Sequence, residues 1–171
     1  WRNMWSHTGD AGRKDSKGFV WYVDRIKDTI RRRGENISSY EVEAILLEHP
    51  AIVEVAAIAV EADQGGEDEV LACIVLQEGH PVPKLIDLMD FCAARMPHFC
   101  VPRYVEFFDD LPKTPNSKIK KDELEKIVLC DLQTKIYPEL EQKFLNILRN
   151  SGLPDLKFGK KIDFEELYKA R

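Results

Sequence analysis

Cysteine pairs at metal-ligand spacing are missing from this chain. Its four cysteines, Cys73, Cys92, Cys100 and Cys130, lie far apart with no CxxC, which argues for reduced thiols rather than a zinc site or a disulfide framework. Long apolar runs are missing too. The longest, around Val55 to Val60, is too short to span a bilayer, so no transmembrane segment is expected. No basic-then-apolar leader opens the chain, and a cytoplasmic location is expected. Positive charge is in deficit: 25 Lys and Arg against 30 Asp and Glu give a net charge of −5, which argues against nucleic acid as a partner. The four histidines, His7, His49, His80 and His98, are scattered, and no metal site is expected from them. With 44% hydrophobic and 32% charged residues in 171, the chain reads as a globular protein with room for one domain and an appendage. It opens at Trp1, without an initiator Met, which leads us to expect the middle of a longer protein.

Local patterns divide the chain. Gly18-Phe19-Val20-Trp21-Tyr22-Val23 is β-branched and aromatic, a strand signal, and Asp15-Ser16-Lys17-Gly18 before it supplies hairpin-turn chemistry. Asp24 to Asp28 reads as a polar joint, followed by a short strand, Thr29 to Arg33, that ends at Gly34, and Gly34 with Glu35-Asn36 reads as a tight turn before the next helix. Ser38 or Ser39 can cap a helix in which Val42, Ile45 and Leu46 recur at helical spacing, with Glu41 and Glu43 near its positive end. Ala51–Val60 and Val70–Leu76 are buried-strand candidates, Lys84–Met96 an amphipathic helix, and Tyr104–Phe108 a third core strand. Helices follow from Asp122 and around Ile136 to Leu148, Pro138 suiting the first turn of the second. A final short helix from Asp163 to Lys169 would use Asp163 as its cap. The expected fold class is α+β: a small three-stranded sheet with packed helices, preceded by a β-hairpin and followed by a helical extension.

Four motifs occur in order: Thr8-Gly9-Asp10, then Val23-Asp24-Arg25-Ile26-Lys27-Asp28, then Arg33-Gly34-Glu35-Asn36-Ile37-Ser38-Ser39-Tyr40-Glu41-Val42-Glu43, then Leu111-Pro112-Lys113-Thr114-Pro115-Asn116-Ser117-Lys118-Ile119. In these the sequence resembles the adenylate-forming superfamily of acyl-CoA synthetases, luciferases and peptide-synthetase adenylation domains. Within it, Arg-Arg-Gly-Glu-Asn-Ile-Ser and Val-Pro-Arg-Tyr resemble carnitine/crotonobetaine-type CoA ligases. The resemblance covers roughly residues 5–125. It implies that 1–26 close a large N-terminal domain, that 27–128 are the mobile C-terminal lid, and that 129–171 are an extension. The implied partners are a small carboxylic acid, ATP with Mg²⁺, CoA and the missing N-terminal domain.

The chemistry of these residues agrees with that implication. A carboxylate attacking the α-phosphate of ATP builds negative charge on phosphorus, and the protein's task is to place cations and orient reactants. Lys118 lies in a loop stiffened by Pro112 and Pro115; the resemblance makes it the lysine that contacts the carboxylate and phosphate. Residue by residue, the resemblance also implies ribose contact by Asp10, ribose or phosphate contact by Arg25, and a hinge at Lys27. It implies further that Gly34 and Glu35 line the pantetheine channel of CoA, and that Phe99 and Arg103 meet its adenine and phosphate. Each has a plainer reading: an Asx turn for Asp10, surface charges for Arg25 and Lys118, a turn glycine for Gly34, a core Phe99 and a strand-edge Arg103. Arg31, Arg32 and Arg33 are expected to form surface pairs. Relatives usually carry glycine where this chain has Asn116 or Ser117, so the loop is expected to reach positive φ less freely. Two other readings remain open: an adenylation domain that loads a carrier protein, and a non-catalytic interaction module. The isolated chain is expected to be inactive.

Overall fold

The computed structural model describes residues 8–62, 66–151 and 162–169. Two compact units follow one another in the chain, Trp1–Lys113 and Thr114–Arg171.

The first unit opens with an antiparallel hairpin, β1 (Asp10–Lys14) and β2 (Val20–Arg25). Its loop is closed by Asp15, whose backbone N–H donates to the Phe19 carbonyl at 3.0 Å while its carboxylate accepts from the N–H groups of Lys17 and Phe19. Gly18 takes the left-handed position there, at φ 92°, the three-residue hairpin geometry in which a turn is followed by an αL residue. A short 3₁₀ turn, Ile26–Asp28, leads into a second hairpin, β3 (Thr29–Arg32) and β4 (Glu35–Ser38). Glu35 and Asn36 were expected in the turn after Gly34. Instead the turn is Arg33-Gly34 alone, both at positive φ (53° and 82°), because the type I′ geometry of a two-residue hairpin needs two left-handed residues and no more.

Helix α1 (Ser39–Leu46) starts at Ser38, whose hydroxyl accepts the Glu41 N–H at 3.4 Å, the expected serine cap. Glu43 lies beyond the first turn of α1, where Glu41 is the acidic residue. Its carboxylate reaches Ala57 N–H at 2.9 Å, a donor on an edge strand.

That strand is β5 (Ile52–Glu61), paired antiparallel with β6 (Asp68–Leu76), which pairs in parallel with β7 (Tyr104–Phe108). A parallel neighbour requires a crossover, and α2 (Leu85–Ala93) lies within it. Val55 and Ala57 alternate with Ala56 and Ile58, and all four are buried, as are Leu71 to Ile74; near-continuous apolar strands are those covered on both faces. The core joins Val42 and Leu46 of α1, Leu88 and Cys92 of α2, and Ile30 and Ile37 of the second hairpin to this sheet. The α+β class with a three-stranded sheet is as expected from the sequence.

The second unit is a loop followed by helices. α3 (Lys121–Lys126) runs through a π-helical stretch, Ile127–Leu132, into α4 (Gln133–Asn150). Pro138 was expected in the first turn of a separate helix. It lies inside α4, where the flanking bonds carry the helix past the one N–H that proline lacks. The stripe of Ile136, Leu140, Phe144 and Ile147 is exposed, between 45% and 63%. In α5 (Phe164–Lys169) the Asp163 carboxylate accepts from the N–H groups of Glu165 and Glu166, both at 3.0 Å, the expected cap. No described helix is long and apolar enough to cross a membrane.

Candidate functional site

Asp10 and Arg25 stand opposite one another in the β1–β2 register, and their side chains approach to 4.0 Å with both half exposed. Two residues fifteen positions apart in sequence thus present a carboxylate and a guanidinium side by side. An exposed pair of this kind adds little to stability and leaves both groups able to meet a ligand. Lys27 is the middle residue of the 3₁₀ turn that follows, and it is exposed.

Asp24, immediately before Arg25, is buried, with 6% of its surface exposed. Its carboxylate accepts the Ser38 hydroxyl at 2.9 Å, the Ser39 hydroxyl at 3.0 Å, Tyr40 N–H at 3.3 Å and Arg25 N–H at 2.7 Å. Burial alone would push this carboxyl up, but the four donors outweigh it and hold it below the ordinary range of an aspartate. Sequence reading passed over Asp24 as part of a polar joint. A cleft of about 580 Å³ opens beside it, lined by Asp24, Asn36, Ser38 and Glu41 among others.

The three arginines before Gly34 do three different things. Arg31 is exposed and pairs with Glu67 at 3.4 Å, as a surface arginine was expected to do. Arg32 corrects that expectation: it is 6% exposed. Strand alternation places it on the same face as Ile30, which points into the core. Its guanidinium meets the Glu69 carboxylate at 2.5 Å and donates to the carbonyls of Phe99 at 2.9 Å and Val101 at 2.8 Å. Arg33 occupies the left-handed turn position. At Gly34 the N–H donates to Glu67 at 2.5 Å, and Glu35 begins β4, exposed.

Phe99 sits in a 3₁₀ turn, His98–Cys100, partly buried against the core. Arg103 follows, its guanidinium 3.1 Å from Glu69 and 5.5 Å from the Tyr104 ring centre, with its side chain 45% exposed. Glu69, 7% exposed, thus holds both Arg32 and Arg103.

Lys118 belongs to the second unit. Its loop repeats the hairpin loop of the first. Thr114 N–H donates to the Lys118 carbonyl at 2.7 Å, Ser117 N–H to Thr114 carbonyl at 2.9 Å, and Lys118 N–H to the Thr114 hydroxyl at 3.1 Å. The left-handed position, held by Gly18 in the first loop, is held here by Ser117 at φ 60°. Positive φ is thus reached at the cost that a Cβ imposes there. Neighbouring lysines are occupied: Lys113 pairs with Glu54 at 2.9 Å and Asp110 at 2.5 Å, and Lys120 with Glu123 at 3.0 Å. Lys118 is exposed and makes no ion pair among the described residues.

Residues 41–118 match the AMP-binding enzyme C-terminal domain. The chain carries the C-terminal domain of the AMP-binding enzymes. A crotonobetaine/carnitine–CoA ligase from Salmonella arizonae is 39% identical over 71% of this chain and 23% of its own length. Probable acyl-activating enzyme 22 of Arabidopsis thaliana is 42% identical over 74% of this chain and 25% of its own. Among solved structures, o-succinylbenzoate CoA synthetase from Bacillus subtilis, in complex with its acyl-adenylate intermediate, is similar at 34% identity and a TM-score of 0.65. That match covers 72% of this chain and 25% of that one. The chain therefore spans about a quarter of the length of the curated relatives it matches.

Proposed function

We propose that this AMP-binding C-terminal domain is the mobile lid of an acid–CoA ligase. The full protein would join a carboxylic acid to AMP at the expense of ATP, releasing pyrophosphate, and then transfer the acyl group to CoA, releasing AMP. Residues 1–26 would close the large domain, 27–128 would form the lid and 129–171 an extension. The observation that carries the reading is Lys118, an exposed ammonium without an ion pair among the described residues, on a loop closed by three hydrogen bonds, while its neighbours Lys113 and Lys120 are held in ion pairs.

In the first half-reaction the acid oxygen bonds to the α-phosphorus and the bond from that phosphorus to the bridging oxygen breaks. Lys118 would supply a fixed positive charge where negative charge builds on phosphorus, acting as a point charge rather than as a base. Asp10 would accept the ribose hydroxyls, and Arg25 beside it would meet ribose or phosphate. Mg²⁺ supplies charge neutralisation on the nucleotide phosphates when bound. Among the described residues no group of three or more His, Cys, Asp or Glu could hold a metal, so no ligand for it is assigned to this chain.

In the second half-reaction Lys27 would be the backbone hinge that exchanges the Lys118 loop for the Gly34 turn. Gly34 and Glu35 would then line the path of the pantetheine arm, and Phe99 and Arg103 would meet the CoA nucleotide. Relatives named as CoA ligases, including the trans-cinnamate:CoA ligase of Petunia hybrida at 38% identity, support CoA over a carrier protein as acceptor. Their names differ in the acid, which this chain does not select.

The test is Lys118→Ala in the full-length protein. Acid-dependent exchange of pyrophosphate into ATP is expected to fall by about 100-fold or more, as when one transition-state donor is removed from an acyl-transfer site. Unchanged exchange overturns the role of Lys118. Acyl transfer to free CoA, set against transfer to a phosphopantetheinylated carrier protein, tests the acceptor.

A further inference from the structure

The two segments assigned to CoA, the Gly34 turn and the Phe99–Arg103 segment, are far apart in sequence, yet one buried side chain ties them together. Arg32 lies two residues before Gly34, on the strand that enters the turn. From there its guanidinium reaches across the fold to the carbonyls of Phe99 and Val101, bridging 67 and 69 residues of sequence. The remaining side of the guanidinium faces Glu69 at 2.5 Å, and the other oxygen of that carboxylate holds Arg103 at 3.1 Å. With Arg32 and Glu69 each 7% exposed as side chains and Arg103 at 45%, the network is buried at one end and opens to solvent at Arg103.

We infer that Arg32 is a positioning residue for the CoA half-reaction: it holds the Gly34 turn and the Phe99–Arg103 segment in one fixed geometry, and through Glu69 it aims the Arg103 guanidinium. This rests on the proposed ligase function and names a residue of it that the motifs do not. Three features of the contact favour positioning over simple cohesion. The bonds to Phe99 and Val101 are to backbone, so they fix the path of the segment whatever its side chains are. A planar guanidinium can donate from Nη1 to two carbonyls while its Nε side faces a carboxylate as an ion pair, an arrangement of charge and direction that an ammonium does not reproduce. The third is geometric, since Glu69 takes both arginines and a shift of Arg32 moves its carboxylate and hence Arg103. Arg32 itself is too buried to touch substrate.

The experiment compares Arg32→Lys with the parent in the full-length ligase, by two readouts on one preparation: acid-dependent pyrophosphate exchange and the KM for CoA in overall ligation. Lysine keeps the charge beside Glu69 but not the fork. Exchange is expected to stay within twofold, while KM for CoA rises about tenfold, the size of one lost charge-assisted bond. Glu69→Gln, which keeps volume and removes the charge that aligns the guanidiniums, is expected to show the same split and serves alone should Arg32→Lys give no soluble protein. A CoA KM within twofold of the parent overturns the inference, as does a loss that lowers exchange and ligation by one factor, since that marks a structural role only. Absence of exchange in the parent itself would overturn the ligase reading instead, so the two failures are distinguishable.

Discussion

The Ser38 hydroxyl donates to the buried Asp24 carboxylate at 2.9 Å while its oxygen caps the first turn of α1 by accepting Glu41 N–H. One serine therefore joins the end of the first hairpin to the start of the helix, on either side of the proposed hinge at Lys27. Asp24 completes its coordination with Ser39 and Tyr40 from the same helix turn, so a single carboxylate gathers three donors from the first residues of α1 and the residue before it.

Asp24→Asn should lower stability by about 1–3 kcal/mol, because a neutral amide accepts these bonds less well and turns an N–H₂ toward donors. The pH dependence follows from the sign of the shift. The folded carboxyl titrates below the ordinary value, so its contribution is fully present above about pH 4 and is lost as pH falls through the lower folded value. Denaturant melts should show a constant gap between parent and variant from pH 7 to 5 that narrows below pH 4. A gap that widens with acid would contradict the assignment.

Among the described residues, two other than glycine hold left-handed backbone, Arg33 and Ser117. The left-handed conformation costs an L-residue roughly 1–2 kcal/mol, least for Asn. Arg33→Asn makes the Asn-Gly pair that type I′ turns favour and should raise stability by about 0.5–1 kcal/mol. Ser117→Gly should do the same in the second unit, as Gly18 does in the matching loop of the first. Thermal melts of the two variants read this directly: a lower Tm in either would mean that the side chain contributes more than its backbone costs.

The thiols of Cys73 and Cys92 should be inert in the folded protein. Burial pushes Cys73 up to about 12, assisted by the Glu106 charge, and Cys92 up to about 11 against the pull of Arg95. Iodoacetamide at pH 8 should leave both unlabelled under native conditions and label both in denaturant, by intact and peptide mass. Native labelling of either would show that the core opens there.

Some of this molecule was legible before folding was considered. Apolar runs at Ala51–Val60 and Val70–Leu76 marked the sheet within two residues of its observed limits, because a strand covered on both faces has little room for polar residues. Asp15 to Gly18 marked the hairpin loop, and Asp163 the last helix, since their bonds are made within four residues. Pro138 and Glu35 were misplaced for the same kind of reason: each sits where local propensity and the surrounding bonds disagree, and the surrounding bonds prevailed.

Apolar periodicity and turn residues by themselves marked the α+β class, and the order of four short motifs gave the resemblance to the adenylate-forming enzymes and the candidates Lys118, Asp10 and Arg25, because loop chemistry and strand alternation are written in neighbouring residues. Only the tertiary structure decided which charges do what. Arg31 and Arg32 are adjacent and alike in sequence, yet one is exposed and the other buried on two backbone carbonyls. Lys113 and Lys118 share a loop motif, yet one is paired and the other exposed without an ion pair among the described residues. Partners such as Glu67 for Gly34 and Glu69 for Arg32 lie more than thirty residues away. Their pairing is set by which strand faces meet, and strand faces meet only when the chain has folded.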